Sequence, residues 1–281
     1  MSEATMMGDG TAAGMPAFDF VVEEGKVAEF ARATGAPVGK GDLAPVTFLA
    51  ASALWMMPEN SVWHTVQRDY RRVLHGEQRF DYPRGLPVIG TRYRARQHFG
   101  RSFEKAGSRG VMEFTEVITS FWTEDESRPD ATMTALTITL PEHSGDGSDA
   151  PRPGVSADAA SEIPAAILTH VTQPLTITDF VRYQGASGDF NPIHHDAQFA
   201  QDAGYPSPFA VGMLSAGVAA AQLGEARDIA TLRSFQTRWK APAWPGDRLT
   251  YAVRDGGDDA LEVTVTRPDG SVHMLARGEF A

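Results

Sequence analysis

Cysteine is absent from this sequence of 281 residues. Disulfides, thiolate metal sites and cysteine nucleophiles are therefore excluded. A long apolar run is also missing. The most apolar stretch, Phe48 to Met57, is too short to cross a bilayer as a helix. Basic charge is scarce: 25 Lys and Arg stand against 36 Asp and Glu, for a formal net charge of -11. That balance argues against nucleic acid held by general electrostatic attraction, while leaving room for a local basic patch. The opening stretch MSEATMMGDGTAAGMPAF has neither a basic n-region nor an apolar h-region, so no signal peptide is expected. A cytoplasmic protein without membrane or nucleic-acid partners is the expectation.

What is present is an ordinary globular composition, 42% apolar and 22% charged, over a length that suits two domains or one large one. Residues 1–16 are small, polar and Gly-rich, and read as a flexible tail. Val27, Phe30 and Ala31 have helical spacing, with Gly35 as a stop. Phe48 to Met57 is apolar all round, so a helix there would be buried. Four strand-like runs follow: Glu77 to Tyr82, Thr91 to Phe99, Val111 to Trp122 and Thr132 to Leu140. Residues 141–164 are rich in Gly, Pro and Ser and read as a linker. The order then recurs. Ala166 to Val171 reads as a strand or an extended approach, Thr176 or Thr178 caps a helix, Ala197 to Ala203 is a short helix, and Gly212 to Leu223 is a buried helix closed by Gly224. Strands are expected at Leu232 to Trp239, Asp247 to Arg254, Leu261 to Arg267 and Ser271 to Phe280, the last two joined by the turn Pro268-Asp-Gly-Ser271. A buried helix followed by about four strands, twice, points to a duplicated fold of class α+β.

The densest polar stretch lies between the first and second helices of the second half. Asp189, Asn191, Pro192 and His194 fall within six residues. Pro192 stiffens the turn, and Gly185 and Gly188 permit backbone angles that other residues resist. Such a turn could hold Asp189 and His194 on either side of one water. Adding or removing water beside a carbonyl needs a proton moved at Cα and oxygen exchanged at Cβ, a task for a carboxylate and an imidazole. Asn191 could orient one of them. Negative charge on the carbonyl oxygen needs a donor, and the backbone N–H of Gly212, at a helix N-terminus, is the candidate. The bland alternative is an Asx-type turn with His194 capping a neighbour. The glycines, Asn191-Pro192 and Gly212 together weigh against it.

The run Gly188-Asp-Phe-Asn-Pro-Ile-His194, with Asp196, Phe199 and Ala200, resembles the hydratase-2 motif of MaoC-like (R)-specific enoyl-thioester hydratases and dehydratases. Pro208-Phe-Ala-Val-Gly-Met213 resembles the segment before that family's central helix, with Val211 where His is usual. Leu74-His-Gly-Glu-Gln-Arg-Phe80 and Pro45-Val-Thr-Phe48 resemble, more weakly, the N-terminal FAS1-like dehydratase half of two-domain members. The resemblance implies a double hotdog, each half a curved antiparallel sheet around a long central helix. It implies a non-catalytic N-terminal hotdog at 17–140 and a catalytic one at 165–281. It also implies an Asp189–His194 dyad, a Gly212 oxyanion donor and no cofactor. The substrate would be a 2-enoyl or (R)-3-hydroxyacyl thioester of CoA or a carrier protein, and a homodimer is compatible. The rival readings are a non-catalytic acyl-thioester-binding hotdog protein and a hotdog thioesterase.

Other residues have plainer readings. Trp55, Met56, Met57 and Trp63 could line an acyl tunnel but equally suit a core. His195 and Asp196 lack a second ligand cluster, so no metal is expected. His75 reads as a hydrogen-bonded structural residue. Arg92, Arg94 and Arg96, or Arg238 and Lys240, could meet phosphates; a solvated strand face is the default.

Overall fold

Alternation of buried and exposed residues builds the strands. In the computed structural model, which describes residues 15–37, 42–64, 66, 69–107, 110–141 and 165–281, the elements run as follows. The first part holds β1 (Phe18–Val21), α1 (Glu24–Thr34), a 3₁₀ helix at Phe48–Trp55, β2 (Val73–Asp81), β3 (Arg92–Gly107), β4 (Gly110–Trp122) and β5 (Ala131–Thr139). The second holds β6 (Leu168–Val171), α2 (Ile177–Ser187), α3 (Ala197–Asp202), α4 (Gly212–Ala226), β7 (Leu232–Trp239), β8 (Thr250–Asp255), β9 (Ala260–Thr266) and β10 (Val272–Phe280). The expected tail falls almost wholly outside the described residues, as do residues 142–164 of the expected linker.

All ten strands join one antiparallel sheet in the order β1-β3-β4-β5-β2-β7-β10-β9-β8-β6. Read outward from the middle, the two sets of five match strand for strand. β2 corresponds to β7, β5 to β10, β4 to β9, β3 to β8 and β1 to β6. The duplicated order expected from sequence is thus present in the pairing itself. The two sets meet where β2 pairs with β7, with Glu77 opposite Arg238 and Phe80 opposite Phe235. Glu77 and Arg238 form an ion pair of 2.5 Å on one face. Phe80 and Phe235 are fully buried on the other, so the seam carries core on its inner side.

α4 lies across the inner face of the second set and touches β6, β7, β8, β9 and β10. Its residues Ala216, Gly217, Ala219, Ala220 and Ala221 keep that approach close. A Cβ on Gly217 would sit 2.4 Å from Thr34 Cγ2, so the α1–α4 contact requires glycine here. The helix runs past Gly224 to Ala226, so that glycine does not close it. The first set is covered differently. The apolar run that suggests a long helix forms eight residues of 3₁₀ helix, Phe48–Trp55. Pro58 ends the run early, and apolarity alone does not distinguish a long α-helix from a tighter, shorter turn. Phe20 meets Trp55 and Phe121 edge to face, Tyr93 meets Phe121 the same way, and Phe48 lies tilted against Phe20.

Candidate active site

Local chemistry dictates the path of the dense polar turn. Thr176 and Asp179 form a reciprocal capping box at the start of α2. Gly188 ends the helix in the left-handed region, at φ 81°. A Cβ there would lie 2.9 Å from Leu54 Cδ2, so the turn also depends on close approach to the first half. The chain then folds on itself. Asn191 N donates to Asp189 Oδ1 at 3.3 Å, and Ile193 N donates to Asn191 Oδ1 at 3.2 Å. Pro192 opens a single 3₁₀ turn, Pro192–His194. Asn191 therefore meets Asp189 through its backbone, while its side chain caps the turn.

Gln184 braces this segment from α2. Its Nε2 donates to Asn191 O at 3.0 Å, and its Oε1 accepts from His195 Nδ1 at 2.8 Å. Asp196 accepts from Phe199 N and caps α3. His195 and Asp196 are thus both occupied in holding the loop.

The 3₁₀ turn drives His194 inward until it is only 8% exposed. Its Nδ1 lies 2.8 Å from the Phe209 carbonyl. A carbonyl only accepts, so the proton sits on Nδ1 and Nε2 keeps its lone pair. Burial pushes the His194 imidazole below its ordinary value, and the nearby Asp189 carboxylate partly opposes that shift. The same carboxylate acts on Tyr183, which burial pushes up, and on His75. Asp189 therefore lies among His194, His75 and Tyr183.

Gly212 opens α4, where the first backbone N–H groups have no carbonyl of their own helix to meet. Trp239 Nε1 donates to the Gly212 carbonyl at 3.0 Å. A Cβ on Gly212 would meet the indole at 2.8 Å. Glycine is needed here for the tryptophan as well as for any ligand.

The first half reaches into this neighbourhood at three points. Leu54 lies on Gly188. Leu74 packs on the small cluster of Ile193, Ala200, Tyr205 and Phe209 beneath the turn. His75 lies against Trp239, with ring centroids 4.5 Å apart. None of these contacts is visible in the sequence, where some 115 to 165 residues separate the partners.

The remaining candidates are scattered. Trp55 and Met56 pack against the core, while Met57 is exposed. Trp63 stacks edge-on to Phe99. Arg96 pairs with Glu126 and lies over Trp122. Arg92 and Arg94 are exposed. A groove of about 500 Å³ lies on the opposite side of the seam, lined in part by Arg79, Arg101, Lys105, Arg238 and Trp239. It contains none of Asp189, Asn191, His194 or Gly212.

Residues 158–272 match the family described as MaoC like domain. The enoyl-CoA hydratase ChsH3 of Mycobacterium tuberculosis is 26% identical over 218 residues, covering 72% of this chain and 68% of its own length. The 3-hydroxyacyl-thioester dehydratase Y of the same organism is 34% identical over 107 residues, 32% of this chain and 37% of that protein. Among solved structures, HtdX of M. tuberculosis superposes with a TM-score of 0.71 at 19% identity, over 94% of this chain and 98% of that one. A further M. tuberculosis protein, described as a double hotdog, gives 0.59 at 14% identity, over 95% of each chain. The architecture is a double hotdog. Residues 158–272 thus carry the MaoC-like domain, and the chain is similar to an enoyl-CoA hydratase and, over about a third of its length, to a 3-hydroxyacyl-thioester dehydratase.

Proposed function

We propose that the chain catalyses the reversible addition of water to a 2-enoyl thioester, giving an (R)-3-hydroxyacyl thioester. The observation that carries this reading is the buried His194, whose Nδ1–H is committed to the Phe209 carbonyl. Its Nε2 is left as a base beside the Asp189 carboxylate. In the hydration direction the pair would hold one water. One member takes its proton as oxygen bonds to Cβ, and the other delivers a proton to Cα on the same face. The enolate-like thioester oxygen would take a hydrogen bond from the Gly212 N–H at the positive end of α4. Asn191 and Gln184 keep the turn in shape. No metal or redox group enters this scheme.

The acyl carrier is CoA or a carrier protein, and the Asp189–His194 dyad belongs to the residue 165–281 half. A cytoplasmic location, and a homodimer if the chain assembles further, belong to the same proposal. Among the described residues no helix is long and apolar enough to cross a membrane. The test is a panel of enoyl thioesters differing in chain length, branching and terminal carboxylation, followed by loss of the enoyl-thioester absorbance. Hydration of at least one member with the thioester intact is expected. Release of free CoA from every accepted substrate would instead make the chain a thioesterase.

A further inference from the structure

β2 carries a bulge that the sheet does not need for pairing. Its register shifts between His75, opposite Thr137, and Glu77, opposite Leu136. Without the extra residue, strict alternation would place His75 on the same face as Glu77, beside the outer groove. The bulge at Gly76 turns His75 to the inner face, shared with Gln78 and Phe80. Glycine makes this possible: a Cβ at Gly76 would sit 2.8 Å from Ile138 Cδ1.

The re-aimed ring has an unusual set of neighbours. One face lies against Trp239, the residue bonded to the Gly212 carbonyl. Its hydrogen-bonding neighbours are the Gln78 side chain and the Glu77 backbone. Gln78 already spends its Nε2 hydrogens on the Arg79 and Thr134 carbonyls, so its Oε1 is the group left for His75. The tautomer protonated on Nδ1 leaves Nε2 as a lone pair. That Nε2 is shielded from solvent and has no hydrogen-bond partner. A buried acceptor without a donor costs stability, so a donor brought to this nitrogen would be held there. His273 shows the structural case in the same molecule: one nitrogen meets the Ala241 carbonyl and the other the Ser215 hydroxyl.

We infer that His75, carried by the half without the dyad, is a positioning residue whose Nε2 accepts the second hydrogen of the water held between Asp189 and His194. A water that donates to both Nε2 and the dyad base has a lone pair left to aim at Cβ. In the reverse direction the same nitrogen accepts from the 3-hydroxyl of the hydrated substrate. The inference rests on the hydratase reading above.

Two variants test it. His75→Phe keeps a ring against Trp239 and removes the acceptor; His75→Gln restores an acceptor near the Nε2 position. His75→Phe is expected to lower kcat roughly 10- to 100-fold with little change in KM and with no loss of Tm. His75→Gln should recover part of that rate. His75→Phe with wild-type kcat overturns the inference, as does a Tm loss in His75→Phe with full activity in whatever folds. If His75→Phe fails to fold, His75→Gln decides alone: a rate between a tenth of wild type and wild type, with KM unchanged, supports the role, and a tenfold rise in KM at unchanged kcat sinks it. Wild-type protein that hydrates no enoyl thioester overturns the functional reading as well, whereas an active wild type with an indifferent His75→Phe overturns only this inference.

Discussion

The two five-strand sets share an order and differ in what covers them. The second set is crossed by α4, 15 residues of α-helix, and carries the Asp189–His194 turn, tied by His194 to the Phe209 carbonyl shortly before that helix. The first set is covered by eight residues of 3₁₀ helix and a cluster of aromatic rings. At 1.5 Å per residue α4 is about 22 Å long, against about 16 Å for the 3₁₀ segment at 2 Å per residue. An α-helix of that length offers aligned N–H groups where its axis begins, and a short 3₁₀ segment offers much less. The contrast is one of parts: one half holds the long helix and the polar turn, and the other sends Leu54, Leu74 and His75 across the seam.

If the reactive groups belong to the second half alone, His194→Ala should reduce kcat by about 10³-fold while leaving the circular dichroism spectrum unchanged. Substantial residual hydration would mean that the first half carries chemistry of its own. In the wild type, kcat/KM should hold its value as pH falls to the ordinary imidazole range near 6.5 and decline only below it, because burial lowers the pKa of His194.

The second half should also own an acid weakness. Burial pushes His273 down to about 4, so in the folded chain it stays neutral where an unfolded chain, at about 6.5, takes up a proton. A depressed histidine pKa means that stability is full above the unfolded value and is lost as pH falls from about 6.5 to about 4. The loss from this residue is of order 3 kcal/mol at one pKa unit per 1.4 kcal/mol. Urea unfolding across that range should show a shallower decline in His273→Gln than in wild type. Equal slopes would remove His273 from the account.

The join between the halves gives the smallest effect. Gly217→Ala places a methyl against Thr34, and the α1–α4 contact must open. About 1–3 kcal/mol of destabilisation is expected in denaturant titration, with activity per folded molecule retained. An unchanged midpoint would show that this contact is more yielding than the geometry implies.

Much of this comparison was legible in the sequence, and the reasons differ by residue. Most strands followed from alternation, though β1 at Phe18–Val21 did not, and the start of α2 was legible in the Thr176–Asp179 stretch but not its reciprocal capping. Gly188, Asp189, Asn191, Pro192 and His194 were legible because a turn is a local object. The 3₁₀ character of Phe48–Trp55 was not, since an all-apolar run looks the same in either helix. Nor was the partner of His194, because a backbone carbonyl at Phe209 leaves no side-chain signature. His75 read as structural, and only its missing Nε2 partner and the bulge at Gly76 set it apart. Trp239 was invisible as a neighbour of Gly212, since that contact depends on where α4 meets the sheet.

The most direct test of the central claim is the Asp189→Ala protein assayed on an enoyl thioester that the wild type hydrates. A fall of about 10³-fold or more in kcat, in a protein with unchanged Tm, is the predicted result. Hydration at the wild-type rate would contradict the assignment of the chemistry to this turn.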